Sequence, residues 1–117
     1  FAHRHLAATT ESLKALGCTE PNILLRHAPR VYNVTLTTQF LAEYTDVDAV
    51  VILAEDDHTP AYEAMLYGVT KLQIAWNMPV CVGDCTAASE AVELVSVQNE
   101  MEAAAPENIS PDRKSIN

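Results

Sequence analysis

The sequence predicts an α/β protein with an open parallel sheet and helices on both faces, arranged in three layers. Helical and extended patterns alternate along the chain in the order α-β-α-β-α-β-α, which is typical of parallel sheets with right-handed crossovers. The predicted strand over residues 48–54 is continuously apolar from Ala49 onwards, as are strands that helices cover on both sides. The length of 117 residues and the apolar content of 49% suit one core. We therefore expect a single α/β domain over residues 1–105 and a polar tail over residues 106–117.

The first helix is expected over residues 2–16, with Gly17 as its stop signal. Its expected buried positions are Leu6, Leu13 and Leu16. Residues 22–28 follow as a strand around an apolar Ile-Leu-Leu run. Pro29 ends that strand, because proline cannot donate a hydrogen bond to a strand ladder.

The second and third helices are marked by apolar side chains at helical spacing. Residues 31–44 form the second helix, and Thr59 is the expected N-cap of the third. Pro60 suits the first helical position, Glu63 favours the positive end of the helix dipole, and Asn77 ends the helix. The second helix carries a residue every four positions on one face, namely Tyr32, Leu36, Phe40 and Tyr44. The expected buried stripe of the third helix is Tyr62, Met65, Leu66, Val69, Leu72 and Trp76.

A short strand over residues 78–82 and a turn at Gly83-Asp84 lead into the last helix. Thr86 is the expected cap of this helix, and Pro106 breaks it. Apolar positions along it are Ala91, Leu94, Val95 and Met101.

Charge and composition argue against two classes of partner. The formal net charge is −9, whereas nucleic-acid phosphates are bound by clustered Lys and Arg. No apolar run approaches the roughly 20 residues of a membrane span. The three cysteines, Cys18, Cys81 and Cys85, form no disulfide-rich pattern, which favours a reducing, cytoplasmic location. We expect no nucleic-acid partner and no membrane partner.

Polar side chains are concentrated after the predicted strands, where open parallel sheets bind their ligands. The segments that follow the three strands are residues 29–32, 55–59 and 83–86. A further strand before residue 1 would bring residues 1–5 to the same edge. The polar set is then His3, Arg4, His5, Arg30, Tyr32, Asp56, Asp57, His58, Asp84 and Cys85.

Two kinds of chemistry fit these residue types, and neither has a recognised motif. His3, His5 and His58 with Asp56 or Asp57 are suitable metal ligands, but their spacing matches no known metal site, so no metal is predicted. His58 beside the two aspartates is a candidate acid–base group. The competing interpretation is an ordinary solvated histidine in a loop.

Read in order, these elements resemble the lumazine synthase family, whose fold is a flavodoxin-like three-layer α/β fold. By this resemblance the sequence lacks the family's first strand. Phe1 stands where that family has the aromatic residue of its turn after strand one. Asn22-Ile23 opens a segment ending at Pro29, like the family's "NI…VPG", and the spacing from this proline to Asp48-Ala49-Val50 is unchanged. The remaining matches are Leu41-Ala42-Glu43, Thr59-Pro60-Ala61-Tyr62-Glu63, Pro79-Val80, Gly83 and Thr86. The likeness covers about residues 1–95.

The resemblance implies a 6,7-dimethyl-8-ribityllumazine synthase of riboflavin biosynthesis. Such an enzyme condenses 5-amino-6-ribitylaminouracil with 3,4-dihydroxy-2-butanone 4-phosphate, without a metal or cofactor. The family's sites lie between subunits of pentamers, which assemble in some members into icosahedral shells. The substrate-binding positions implied here are Phe1, Arg30, Val31, Tyr32, Asn33, Asp57, Thr59, Gly83 and Thr86.

Several positions depart from the family pattern. The family's active-site histidine falls on Ala61, and its glycine and acidic residue after the proline fall on Arg30 and Asn33. His58 is the nearby substitute for the missing base. Three functions therefore stay open: an active synthase, a non-catalytic shell or scaffold subunit of the same fold, and an unrelated flavodoxin-like ligand-binding or receiver domain.

Overall fold

The computed structural model describes residues 1–106, so residues 107–117 of the predicted polar tail lie outside the described part. The described chain contains four α-helices and two parallel strands. In chain order these are α1 (Ala2–Ala15), α2 (Val34–Tyr44), β1 (Val50–Leu53), α3 (Pro60–Trp76), β2 (Val80–Gly83) and α4 (Ala87–Ala104). Two single 3₁₀ turns, Glu20–Asn22 and Val31–Asn33, precede α2. The mixed α/β character predicted from the sequence is confirmed.

Helix α3 begins and ends where its sequence signals predict. The hydroxyl oxygen of Thr59 accepts a hydrogen bond from the backbone N–H of Tyr62 at 3.2 Å, and Pro60 occupies the first position. At the other end Asn77 adopts the left-handed conformation, with φ of 50° and ψ of 50°. Asparagine tolerates this conformation better than most side chains, and it closes the helix and turns the chain towards β2.

The two strands pair in parallel, with Val50 opposite Val80 and Leu53 opposite Gly83. Backbone hydrogen bonds extend the pairing at both ends. The N–H of Val50 donates to Pro79 O at 3.0 Å, and the N–H of Ala54 donates to Gly83 O at 3.3 Å. The chain therefore leaves both strands at the same edge of the sheet.

Apolar clusters lie on both faces of this strand pair, because successive side chains of a strand point to opposite sides. On one face Val50, Ile52 and Val80 pack with Tyr62, Met65, Val69 and Met78. On the other face Cys81 packs with Ala87 and Ala91, against half-buried Ala49 and Val51. Helices α2 and α3 contact each other, as do α1 and α4.

Residues 22–28 do not form the strand that their apolar run predicts. Residues 20–22 make a 3₁₀ turn, and residues 23–28 carry no strand pairing. A strand exists only where a neighbour completes its ladder of hydrogen bonds, and within residues 1–106 this segment has none. The three-stranded sheet expected from the sequence is therefore wrong for the described residues. The remaining strand predictions stand within two residues of the observed bounds.

The helices expose many apolar side chains for a chain of this size. Thr9 is the buried residue of α1, whereas Leu16 is exposed, so the predicted burial of Leu16 is wrong. In α3 the predicted stripe is buried at Tyr62, Met65, Val69 and Leu72 but exposed at Leu66 and Trp76. Leu94 and Met101 of α4 are exposed too, as are Leu36, Phe40 and Tyr44 of α2 and Tyr32 in the turn before α2. Across the described residues, no helix combines the length and apolarity that a membrane crossing requires.

Candidate functional site at the carboxyl edge of the sheet

The loops that leave β1 and β2 lie side by side, because the strands end opposite each other at Leu53 and Gly83. Residues 54–59 connect β1 to α3, and residues 84–86 connect β2 to α4. We call the surface formed by these two loops and the first residues of α1 the carboxyl edge. It is the position at which open parallel sheets bind ligands.

His58 is held in an unusual backbone conformation on this edge. Its φ is 58°, a left-handed value that residues other than glycine adopt rarely. Asp56 stabilises it twice: Asp56 Oδ1 accepts the backbone N–H of His58 at 3.1 Å, and it lies 3.3 Å from His58 Nδ1. The imidazole itself is 87% exposed. Asp56 thus orients a histidine that is fully accessible to a ligand.

The two loops share one turn geometry that reading the sequence for single residues missed. In Asp57-His58-Thr59, Asp57 Oδ1 accepts the hydroxyl of Thr59 at 2.7 Å and its backbone N–H at 3.1 Å. In Asp84-Cys85-Thr86, Asp84 Oδ1 accepts the equivalent hydroxyl at 2.6 Å and N–H at 2.9 Å. The signal was present as two Asp-X-Thr triplets, each following a predicted strand.

The hydrogen bonds within these turns favour ionised carboxylates. The hydroxyl of Thr59, followed by its backbone N–H, lowers the pKa of Asp57 below the ordinary value of 3.8. The same two groups of Thr86 lower the pKa of Asp84, and the nearby charge of His5 lowers it further. Both carboxylates are therefore negative at neutral pH and stand at the starts of α3 and α4, which favour negative charge.

The charge of His5, in the first turns of α1, acts on Asp84. Phe1 is half-buried, and its ring centroid lies 4.6 Å from that of His5. The guanidinium of Arg4 lies 5.9 Å from the centroid of the Phe1 ring. Phe1, Arg4 and His5 thus group an aromatic ring, a guanidinium and an imidazole at the start of α1.

The substrate-binding positions expected after Pro29 have different environments. Arg30 is exposed and lies 6.0 Å from the ring of Tyr32, which is exposed as well. Val31 packs against the core cluster beside β1, so its side chain belongs to the core. Asn33 precedes α2 and makes no side-chain cap hydrogen bond. This segment contacts α3 through the 3₁₀ turn Val31–Asn33.

Chemically, the carboxyl edge presents one oriented imidazole and several carboxylates. Ala61, at the position matched to the family's histidine, is half-buried in the first turn of α3 and has no side chain that transfers protons. Glu55, Asp56 and Asp57 precede His58 and are all exposed. Among residues 1–106, no group of three or more His, Cys, Asp or Glu side chains has the geometry of a metal site. The edge therefore suits proton transfer by His58 and disfavours ligands with high negative charge.

Fold and site together define a mixed α/β protein with a candidate ligand edge at the ends of two parallel strands. Comparisons with models of protein families, with curated proteins and with solved structures found no match.

Proposed function

We propose that the chain is a homo-oligomeric subunit of the lumazine synthase type, with its ligand site at the carboxyl edge. The single observation that carries this proposal is the outward face of α2. Leu36, Phe40 and Tyr44 of α2, and Tyr32 of the 3₁₀ turn before it, recur every four residues and are between 47% and 73% exposed. Exposed apolar side chains grouped in this way favour an interaction site over a solvated helix.

The neighbouring helix α3 exposes apolar side chains too. Tyr67 and Ile74 are exposed on α3, the helix that packs against α2. One chain thus has exposed apolar side chains on two helices, which can act as two different contact surfaces. When one surface of a subunit meets the other surface of the next, the contact is heterologous, and it forms a ring where the rotation between subunits closes. The pentamer that the resemblance implies is a ring of this kind.

The activity that the resemblance implies is the condensation of 5-amino-6-ribitylaminouracil with 3,4-dihydroxy-2-butanone 4-phosphate, which yields 6,7-dimethyl-8-ribityllumazine. His58 is our candidate for proton transfer, because Asp56 orients its imidazole 3.3 Å away and solvent reaches it. Phe1 and Tyr32 supply aromatic surface for the pyrimidine ring, and Thr59 and Thr86 mark two helix starts with hydrogen-bonding groups.

A second candidate function is a shell or scaffold subunit without catalysis. It is favoured by Ala61, which lacks the proton-transferring side chain of the family, and by the ionised Asp57, which repels a phosphate. Such a subunit would still assemble into the homo-oligomer but would not catalyse the condensation. The receiver-like alternative receives less support, because Asp56 and Asp57 both direct a carboxylate oxygen into hydrogen bonds of their own loop.

Sedimentation velocity tests the assembly. We expect the protein to sediment as a ring or a larger particle, and Phe40→Glu to shift it to smaller species. Ser96→Glu is the matched control, since Ser96 is an exposed position of α4 that receives the same charge. A monomer for the parent protein, or equal effects of the two substitutions, would remove the proposal.

An assay with both substrates separates the two candidates. Formation of the lumazine product, slowed by His58→Ala, supports the enzyme. An assembled particle that forms no product at high protein concentration supports the non-catalytic subunit. A His58→Ala variant with the parent rate would remove the role assigned to His58.

A further inference from the structure

A cleft at the opposite end of the sheet contains an exposed tryptophan and two carboxylates. It has a volume of about 220 Å³ and lies where the chain enters β1 and β2, away from the carboxyl edge. Helices α2 and α4 complete its sides. We call it the Trp76 cleft, and its lining is Ala42, Val47, Asp48, Trp76, Asn77, Met78, Val95, Gln98, Asn99 and Glu102.

We propose that the Trp76 cleft binds a small organic cation, an alkylammonium or a guanidinium group. The indole of Trp76 is 41% exposed and is the single tryptophan of the chain. A tryptophan face is the best aromatic partner for a cation, and nearby carboxylates strengthen the attraction. Asp48 and Glu102 are the charged residues of the lining, and both carry negative charge.

Long-range hydrogen bonds hold the walls of the cleft in place. The side-chain amide of Gln98 on α4 donates to the backbone carbonyl of Asn77 at 2.8 Å. Gln73 of α3 accepts further hydrogen bonds from this turn. Its backbone carbonyl accepts the N–H groups of Asn77 and of Met78, the latter at 3.2 Å, and its Oε1 accepts the N–H of Val80 at 3.0 Å. The wall between α3, β2 and α4 is therefore formed before any ligand binds, which lowers the entropic cost of binding.

The size of the cleft limits the ligand. Pockets for drug-sized molecules measure roughly 300–1,000 Å³, so a cleft of about 220 Å³ takes one cationic group with a short chain. The amide groups of Asn77, Gln98 and Asn99 offer further acceptors for N–H donors. The cationic group can belong to a free amine or guanidine, or to a Lys or Arg side chain of a second copy of this protein.

Trp76 reports binding directly, because no other tryptophan contributes to the fluorescence. We would titrate the full chain with n-butylammonium and n-butylguanidinium chloride, using sodium chloride at the same ionic strength as the reference. We expect a saturable change of emission with the organic cations and none with sodium. Equal changes with sodium, or no saturation, would overturn the proposal.

Charge-neutral variants locate the site. Asp48→Asn and Glu102→Gln should each weaken binding about two- to fivefold, the effect expected for one exposed charge. Glu93→Gln is the matched control, because Glu93 is an exposed acid of α4 outside the cleft lining. An equal loss in the control means that only the overall negative charge attracts the cation, and this result contradicts the proposal. Circular dichroism of each variant establishes that it is folded.

The two sources of the cation predict different effects of protein concentration on the emission of Trp76. A free ligand binds with an affinity that does not change when the protein is diluted tenfold. A side chain of a second copy instead makes the emission of Trp76 change on dilution, and added n-butylguanidinium competes with it. Both outcomes are independent of whether the carboxyl edge performs the proposed condensation.

Discussion

Gly68 of α3 lies so close to Thr35 of α2 that no side chain fits between the two helices. A Cβ atom built on Gly68 would stand 2.8 Å from both Cγ2 and Oγ1 of Thr35. The hydroxyl of Thr35 also lies 3.4 Å from the backbone carbonyl of Met65, one turn earlier in α3. Glycine at position 68 thus sets how closely α2 approaches α3, and with it the joint outward surface of the two helices.

Gly68→Ala should therefore destabilise the protein through steric overlap. Overpacking costs about 1–3 kcal/mol, and the higher helix propensity of alanine returns about 1 kcal/mol. Urea unfolding monitored by circular dichroism measures the balance. Thr35→Ala in the same chain removes both overlapping atoms, so the substitution at Gly68 should cost less there than in the parent. If Gly68→Ala instead raises the free energy of unfolding, the space beside Gly68 holds a methyl group and the predicted steric overlap is wrong.

The sequence predicts helices better than strands in this chain, for a physical reason. Helix α3 follows from local signals, since Thr59, Pro60 and Asn77 act within one turn of their own positions. Residues 22–28 carry an equally clear apolar run, but a strand depends on a partner elsewhere in the chain. Periodicity also predicts one face for four residues of the segment 31–44, but it does not indicate whether solvent or protein covers that face. That choice depends on neighbouring helices.

The candidate site was predictable in its place and less so in its geometry. Knowing that ligands bind after parallel strands was enough to select Asp57, His58 and Thr86. The left-handed backbone of His58 and the matching turns at Thr59 and Thr86 depend on φ angles and on hydrogen bonds two residues apart. The resemblance implies a substrate contact for Val31, and its partly buried side chain packs against the core cluster, a contact that its position in the chain does not indicate.

The two Asp-X-Thr turns differ in one respect that stability measurements should detect. The hydroxyl oxygen of Thr59 accepts from the backbone N–H of Tyr62 and so caps α3, whereas Thr86 makes no side-chain cap hydrogen bond to α4. Thr59→Ala should cost about 1 kcal/mol, the usual value of a lost N-cap, and Thr86→Ala should cost less. Thermal and urea unfolding of both variants provide the comparison. Equal losses would mean that the shared turn, and not the cap, accounts for the effect.

Removing the Thr59 hydroxyl should also change the titration of Asp57. That hydroxyl is the main cause of the lowered pKa of Asp57, and the backbone N–H of residue 59 is the next. In Thr59→Ala the pKa should rise towards 3.8 but stay below it, because the backbone N–H remains. Carboxyl-carbon NMR follows both aspartates, and Asp84 is the internal control, since its turn is intact. An equal rise in the pKa of Asp84 would indicate that the substitution changes the electrostatics of the whole protein and does not act through the Thr59 hydroxyl.

The lowered pKa values of Asp57 and Asp84 also fix the sign of a pH effect on stability. A carboxyl group with a lower pKa in the folded state binds protons more readily when the chain is unfolded. Its contribution is therefore present above the ordinary value of 3.8 and is lost as the pH falls through the folded-state pKa. Asp84→Asn should flatten the decline of stability below about pH 4. Asp46→Asn, at an exposed site before β1, is the comparison, and an equal flattening there contradicts the assignment.

Burial of Cys81 should separate it from the other two cysteines in reactivity. Its side chain is 2% exposed, and burial, followed by a hydrogen bond with Glu90 and the charge of Glu90, raises its pKa to about 12. The thiol is therefore neutral at pH 8, and the thiolate is the reactive form. We expect N-ethylmaleimide to modify the half-buried Cys18 and Cys85 in the folded protein and Cys81 only after unfolding, as peptide mass spectrometry would show. Glu90→Gln tests whether burial or Glu90 contributes more to the raised pKa of Cys81. Because burial is the larger cause, Cys81 should stay unmodified in the folded variant. Rapid modification of Cys81 in this variant would show that Glu90 is the main protection.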